Sequence, residues 1–154
     1  MNRWIRTTLA AGLLLLTAVA TAPAGTEGPA TLTNAEWNPE AGVPEGSEIT
    51  DEQHILTTVI PSPPTDLVAH ATLTYDVSRG KNGILSFLST HSWVKCEAPD
   101  GLVVGESGLV AVVCRAEAKK LARLKKKTRV YIKADPPGGG RHKKLYWVLL
   151  PPPA

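Results

Sequence analysis

The sequence predicts a mainly β fold: a small β-sandwich or a partly open barrel, with one short helix and a flexible N-terminal arm. Three observations carry this prediction. Residues 67–77 alternate apolar and polar side chains with period two, the mark of a half-buried strand. Turn formers are dense, with 13 glycines and 13 prolines in 154 residues, and they cut the chain into short apolar runs. Only one stretch, 116–127, is rich in alanine, leucine, lysine and arginine, the residues that favour helix. A chain of this length builds one modest core and not two catalytic domains.

Taken in order, Asn2 to Arg6 form a short positive head. Leu9 to Ala22 is uniformly apolar or small, and Ala22-Pro23-Ala24 fits a small-x-small cleavage site. This is the layout of a secretory signal peptide over 1–24, cut after Ala24. An uncleaved anchor is the alternative, but 14 residues fall short of the roughly 20 that span a bilayer. Residues 25–50 read as an acidic flexible arm, with three prolines, four glycines and five glutamates over 25–48. Trp37 is the exception there: it docks on the domain, or serves as a recognition point, or stands alone in a flexible segment. Residues 51–154 then form a single β-rich domain.

Within that domain, Asp51 to Ile60 mixes helical spacing with β-branched residues and reads as a short strand or extended edge, ended by Pro61-Ser62-Pro63-Pro64. Leu67 to Val77 is the clearest strand. Arg79 to Gly83 contains an Asn-Gly step that favours a tight turn. Ile84 to Leu88 and Trp93 to Ala98 resume strand patterns. Leu102 to Val104 and Leu109 to Cys114 flank Gly105-Glu106-Ser107-Gly108 as a hairpin. Residues 116–127 predict the helix, with Ala118, Leu121, Ala122 and Lys125 on one face, the alternative being a strand running on toward Ala134. Val130 and Ile132 alternate with Arg129, Tyr131 and Lys133. Leu145 to Leu150 is apolar on both faces, so it is expected to be covered on both sides or to sit centrally.

Cys96 and Cys114 are expected to pair as a disulfide, because an exported chain with an even cysteine count meets an oxidising environment. A redox pair lacks the Cys-x-x-Cys spacing, and metal binding would have to recruit His91 or His142. With Trp93 three residues before Cys96 and strand patterns around both cysteines, the layout is similar to immunoglobulin-like domains, where a tryptophan packs near a bridge. The similarity concerns architecture. Those domains space their cysteines farther apart with the tryptophan between them, whereas Trp93 precedes both. Fold resemblance implies no function.

No local pattern builds a catalytic site. His70 and Asp76 share a strand face but lie about 20 Å apart along it. His70 and Asp66 are about 13 Å apart on the same face, and His91 and Ser92, being adjacent, point to opposite faces; His54 and His142 complete the set of possible bases. Pro136 to Gly140 lacks the Lys-Ser/Thr end of a phosphate loop. A non-enzymatic role without a cofactor is therefore expected. The alternatives are a secreted inhibitor presenting a loop at 97–108, or a small enzyme in which His70, His91 or His142 converges with a nucleophile or carboxylate in a concave pocket.

The charge distribution carries the functional information. Residues 25–106 hold 12 acidic against 3 basic residues, and residues 107–154 hold 12 basic against 2 acidic. Lys119, Lys120, Arg123, Lys126, Lys127 and Arg129, followed by Arg141, Lys143 and Lys144, are the candidate anion- or partner-binding residues, with Tyr131 and Tyr146 adding contact area. An anionic envelope polymer or an extracellular protein fits such a face, in a secreted or envelope-retained chain. The leader argues against genomic nucleic acid. Plain solvation, or shielding by Glu36, Glu40, Glu45, Glu48, Asp51 and Glu52, is the competing expectation.

Overall fold

The computed structural model describes residues 31–76, 85–99, 108–136 and 140–153. Nine strands and one helical turn lie within them: β1 (Leu32–Trp37), β2 (Ser47–Thr50), β3 (Ile55–Val59), β4 (Leu67–Tyr75), β5 (Ser86–Ser89), β6 (Val94–Glu97), β7 (Leu109–Ala116), α1 (Ala118–Leu121), β8 (Thr128–Asp135) and β9 (Lys143–Leu150). They form a four-stranded sheet, β1-β4-β7-β6, and a five-stranded sheet, β2-β3-β9-β8-β5. The sheets are not closed into a barrel, which removes that alternative. Among the described residues, no helix is long and apolar enough to cross a membrane. The expected leader, the Arg79–Gly83 turn and most of the 97–108 loop lie outside the described residues.

The period-two pattern does what it predicts in β4. Leu67, Ala69, Ala71, Leu73 and Tyr75 are buried, while Val68, His70, Thr72 and Thr74 face outward, half-buried. Opposite them on β7, Val110, Val112, Cys114 and Ala116 turn inward in register, Ala71 against Val112 and Ala69 against Cys114. The apolar strand Leu145 to Leu150 is the middle of its sheet. β9 runs parallel to β3 on one side and antiparallel to β8 on the other. Its position explains why Val148, on the outer side, is still only 4% exposed.

The expected acidic arm is corrected. Residues 31–50 carry two strands, and a boundary at residue 51 would cut through the β2–β3 pair. The composition that reads as an arm hides a sparse inward pattern: Leu32, Ala35 and Trp37 are buried in β1, and Ile49 packs on the core from β2. These four apolar side chains suffice, because each strand borrows its hydrogen bonds from a longer neighbour, β4 for β1 and β3 for β2.

Trp37 docks, and it does so at the seam of the two sheets. It is fully buried, meets Trp147 edge-on at 5.6 Å between ring centres, and donates its indole N–H to the Tyr146 carbonyl at 3.1 Å. Trp147 donates its own indole N–H to the Thr58 hydroxyl at 3.0 Å, and Ser47 lies 2.7 Å from that same hydroxyl. Thr58 is thus a buried polar residue with its bonding satisfied. Between β2 and β3, Asp51, Glu52 and Gln53 are all left-handed, with φ of 54°, 53° and 71°. Non-glycine residues pay roughly 1–2 kcal/mol each there. The turn is held because Gln53 O accepts the Trp37 N–H and His54 O accepts the Tyr146 N–H, tying both sheets to one corner.

The helix is shorter than expected. α1 covers Ala118–Leu121, and Arg123 N and Leu124 N then bond three residues back, to Lys120 O and Leu121 O. Only Leu121 is fully buried, with Leu124 packed on the core; Ala122 and Lys125, expected on the inner face, are exposed. With so small an apolar face and Lys125 to Lys127 in direct succession, little favours further turns over release into β8.

Candidate basic site

The structure bonds Cys96 to Cys114, joining β6 to β7 at directly opposed positions with 4.0 Å between Cα atoms. The bridge faces inward, and Cys114 is fully buried. It fixes an edge strand to its sheet and so sets the register of both neighbours.

The basic residues fall into two groups. Lys119 and Lys120 sit on α1, Arg123, Lys125, Lys126 and Lys127 on the chain leaving it, and Arg129 at the start of β8; all seven are exposed. Arg141, Lys143 and Lys144 lie at the other end of the β8–β9 pair, since Thr128 opposes Leu149 while Lys143 opposes Ala134. Six strand residues separate these ends by about 20 Å. Nor do the members of the second group share a face. Lys144 is exposed on the outer side beside Lys133, whereas Lys143 opposes buried Ala134 and is half-buried at the inner rim.

The outer face of the five-stranded sheet links the groups. Along β8 it presents Arg129, Tyr131 and Lys133, and along β9 Val148, Tyr146 and Lys144, paired in that order. The two tyrosine rings are 6.2 Å apart, and Lys144 Nζ stands 5.2 Å over the Tyr131 ring. Such a contact contributes about 0.5–1 kcal/mol at an exposed site. Across the same face a row runs Glu48, Thr57, Val148, Arg129. Three inter-strand spacings therefore part Glu48 from Arg129, roughly 14 Å. Among the described residues the one ion pair is Lys133 with Asp135, at 3.3 Å. None of the seven cations over 119–129 touches a carboxylate there.

The histidines stay apart. His54 donates from Nδ1 to the Ala35 carbonyl at 2.8 Å, a structural bond at the turn into β3. His70 lies on the outer side of β4, where Gly42 approaches so closely that a Cβ there would come within 3.3 Å of its ring. His91 meets Trp93 edge-on at 5.1 Å, and its Nδ1 lies 3.1 Å from the Thr90 hydroxyl, which also accepts the Tyr131 N–H. His142 is exposed just before β9. Among the described residues, no three His, Cys, Asp or Glu side chains gather as a metal site.

One cluster escaped the sequence reading. Lys95 opposes Arg115 across β6 and β7, and with Trp93, Asp66, Ala116 and Glu117 they line a cleft of about 180 Å3. The signal was available: once Cys96 and Cys114 pair in an antiparallel hairpin, the residue before one must face the residue after the other. No protein-family model matches the chain, and no curated protein matches it.

Proposed function

We propose that this is an exported, non-catalytic binding domain that holds an anionic polymer of the cell envelope or its surroundings on the α1–β8 basic face. The single observation carrying this reading is the set of seven exposed cations over residues 119–129 without a carboxylate contact among the described residues. Charges left open to one side focus a positive field, and the Tyr131–Tyr146 pair beside them supplies flat contact area. The head, apolar stretch and cleavage pattern of residues 1–24 support export, with the processed chain secreted or retained at the envelope.

We read the architecture as an immunoglobulin-like β-sandwich. In favour stand the strand orders: β1-β4-β7-β6 runs as A-B-E-D and β9-β8-β5 as G-F-C, with β3 as the displaced second half of the first strand. The departure is the disulfide, which joins neighbouring strands of one sheet rather than bridging the two.

The test is retention of the processed chain on an immobilised anionic polysaccharide. Wild type should bind and elute with salt, since exposed charges are screened within about 8 Å at physiological ionic strength. Lys125→Glu, Lys126→Glu and Lys127→Glu combined should abolish retention while the unfolding midpoint stays put. Unchanged retention would refute the reading.

A further inference from the structure

We propose that the Trp93 cleft is a subsite for one acidic sugar unit, a uronate, of the polymer that the basic face holds; this rests on the binding function proposed above. The cleft lies where β6 begins, β7 ends and α1 follows, so a chain seated in it continues onto Lys119 and Lys120. Its volume of about 180 Å3 is below the roughly 300 Å3 of sites that enclose a whole ligand, so it takes one ring of a longer molecule.

The chemistry of the lining selects that ring. Trp93 is half-buried and offers an apolar indole surface against which the C–H face of a sugar packs. Lys95 and Arg115 are both exposed and stand directly opposite each other. Like charges in that position destabilise a sheet unless something offsets them. Neither meets a carboxylate within ion-pair distance among the described residues. The adjacent Cys96–Cys114 bond holds the two strands, and therefore the two cations, together. A carboxylate placed between them satisfies both, and the guanidinium can grip it in a fork.

Glu117, also lining the cleft, is an acceptor for sugar hydroxyls. Asp66 is already engaged, accepting the Ala118 N–H at 2.7 Å, and fixes the cleft wall against α1. Carboxylates in the wall disfavour a bare polyanion such as polyphosphate here. A ligand combining one negative charge with several hydroxyl donors suits the mixture.

The experiment follows tryptophan fluorescence of the processed chain during titration. Trp37 and Trp147 are both 0% exposed, so Trp93 is the reporter among the described tryptophans. The probes are a tetramer of galacturonic acid, its methyl ester, a hexaglutamate peptide and polyphosphate. The tetramer should shift the emission, and this shift should vanish in Trp93→Phe. Binding should weaken at least about tenfold in Arg115→Ala and with the methyl ester, the loss expected for one charged contact. Glu40→Ala should leave tetramer affinity within about twofold, since that exposed residue lines neither the cleft nor the basic face.

No response of Trp93 to the tetramer overturns the subsite, as does hexaglutamate binding equally well. If polyphosphate is still retained by the wild-type chain in that case, the basic-face reading stands and the subsite alone fails. If no anion binds at all, both fail.

Discussion

Truncating Trp37 is the sharpest check on whether the acidic N-terminal segment is part of the fold. The side chain is fully buried, packs edge-on against Trp147, and satisfies the Tyr146 carbonyl. Trp37→Ala removes a large ring from between two sheets whose backbones are fixed by ladders on either side, so the cavity cannot collapse far. Substitutions of that kind cost about 3–5 kcal/mol. Set against a total stability of about 5–15 kcal/mol for a domain, the variant loses between about a fifth and the whole of its margin.

The assay is urea unfolding of residues 25–154, followed by far-ultraviolet circular dichroism. Trp37→Phe keeps most of the ring and should lose less, chiefly the indole hydrogen bond at about 1 kcal/mol. Glu40→Ala, an exposed change in the same segment, should stay within about 0.5 kcal/mol. A loss below about 1 kcal/mol in Trp37→Ala would refute the reasoning, because a ring at the seam cannot be removed that cheaply. The segment would then be the loose arm that its composition describes.

Three other outcomes follow from the same structure. Removing the disulfide with Cys96→Ala/Cys114→Ala should cost about 3 kcal/mol for a loop of 18 residues, read as a lowered urea midpoint. Thr58→Val strands the buried Trp147 indole N–H and should cost about 1–3 kcal/mol, with near-ultraviolet circular dichroism reporting the altered tryptophan. Asp66→Ala deprives the first N–H of α1 of its acceptor and should cost about 1 kcal/mol, with faster amide exchange at Ala118.

How much of this was legible in the sequence depended on how many side chains each element needs. β4 and β9 were readable because they bury side chains at nearly every second position, or on both faces, and nothing else explains such runs. β1 and β2 were not, because they are short and contribute few apolar residues to cores organised by their neighbours. The helix was overread for the opposite reason. Helix-favouring lysines and arginines supply local propensity, but Leu121 and Leu124 are its only large core contacts, so tertiary packing stopped it after one turn. The basic residues were visible by composition, yet their division between two ends of a hairpin, and Lys143 onto another face, needed the register. The facing of Lys95 and Arg115 follows only once the disulfide sets β6 against β7.

Shielding of the basic face by the acidic segment can now be judged by distance. Because β1 and β2 are built into separate sheets, Glu36 sits on the outer side of the four-stranded sheet and Glu48 on that of the five-stranded sheet. Neither can fold back over α1 without breaking a ladder. Glu48 is three strands from Arg129, roughly 14 Å by strand spacing. At physiological salt the screening length is about 8 Å, so most of that attraction is lost. Deleting the segment would unfold the domain and report nothing about charge. Replacing Glu36, Glu40, Glu45, Glu48, Asp51 and Glu52 with their amides keeps the backbone and removes six negative charges. The affinity of this variant for an anionic polymer should rise only slightly above wild type at about 0.15 M salt, and clearly more at about 0.01 M, where the screening length is about 30 Å. A large rise in affinity at physiological salt would show that the acidic side chains reach the basic face after all.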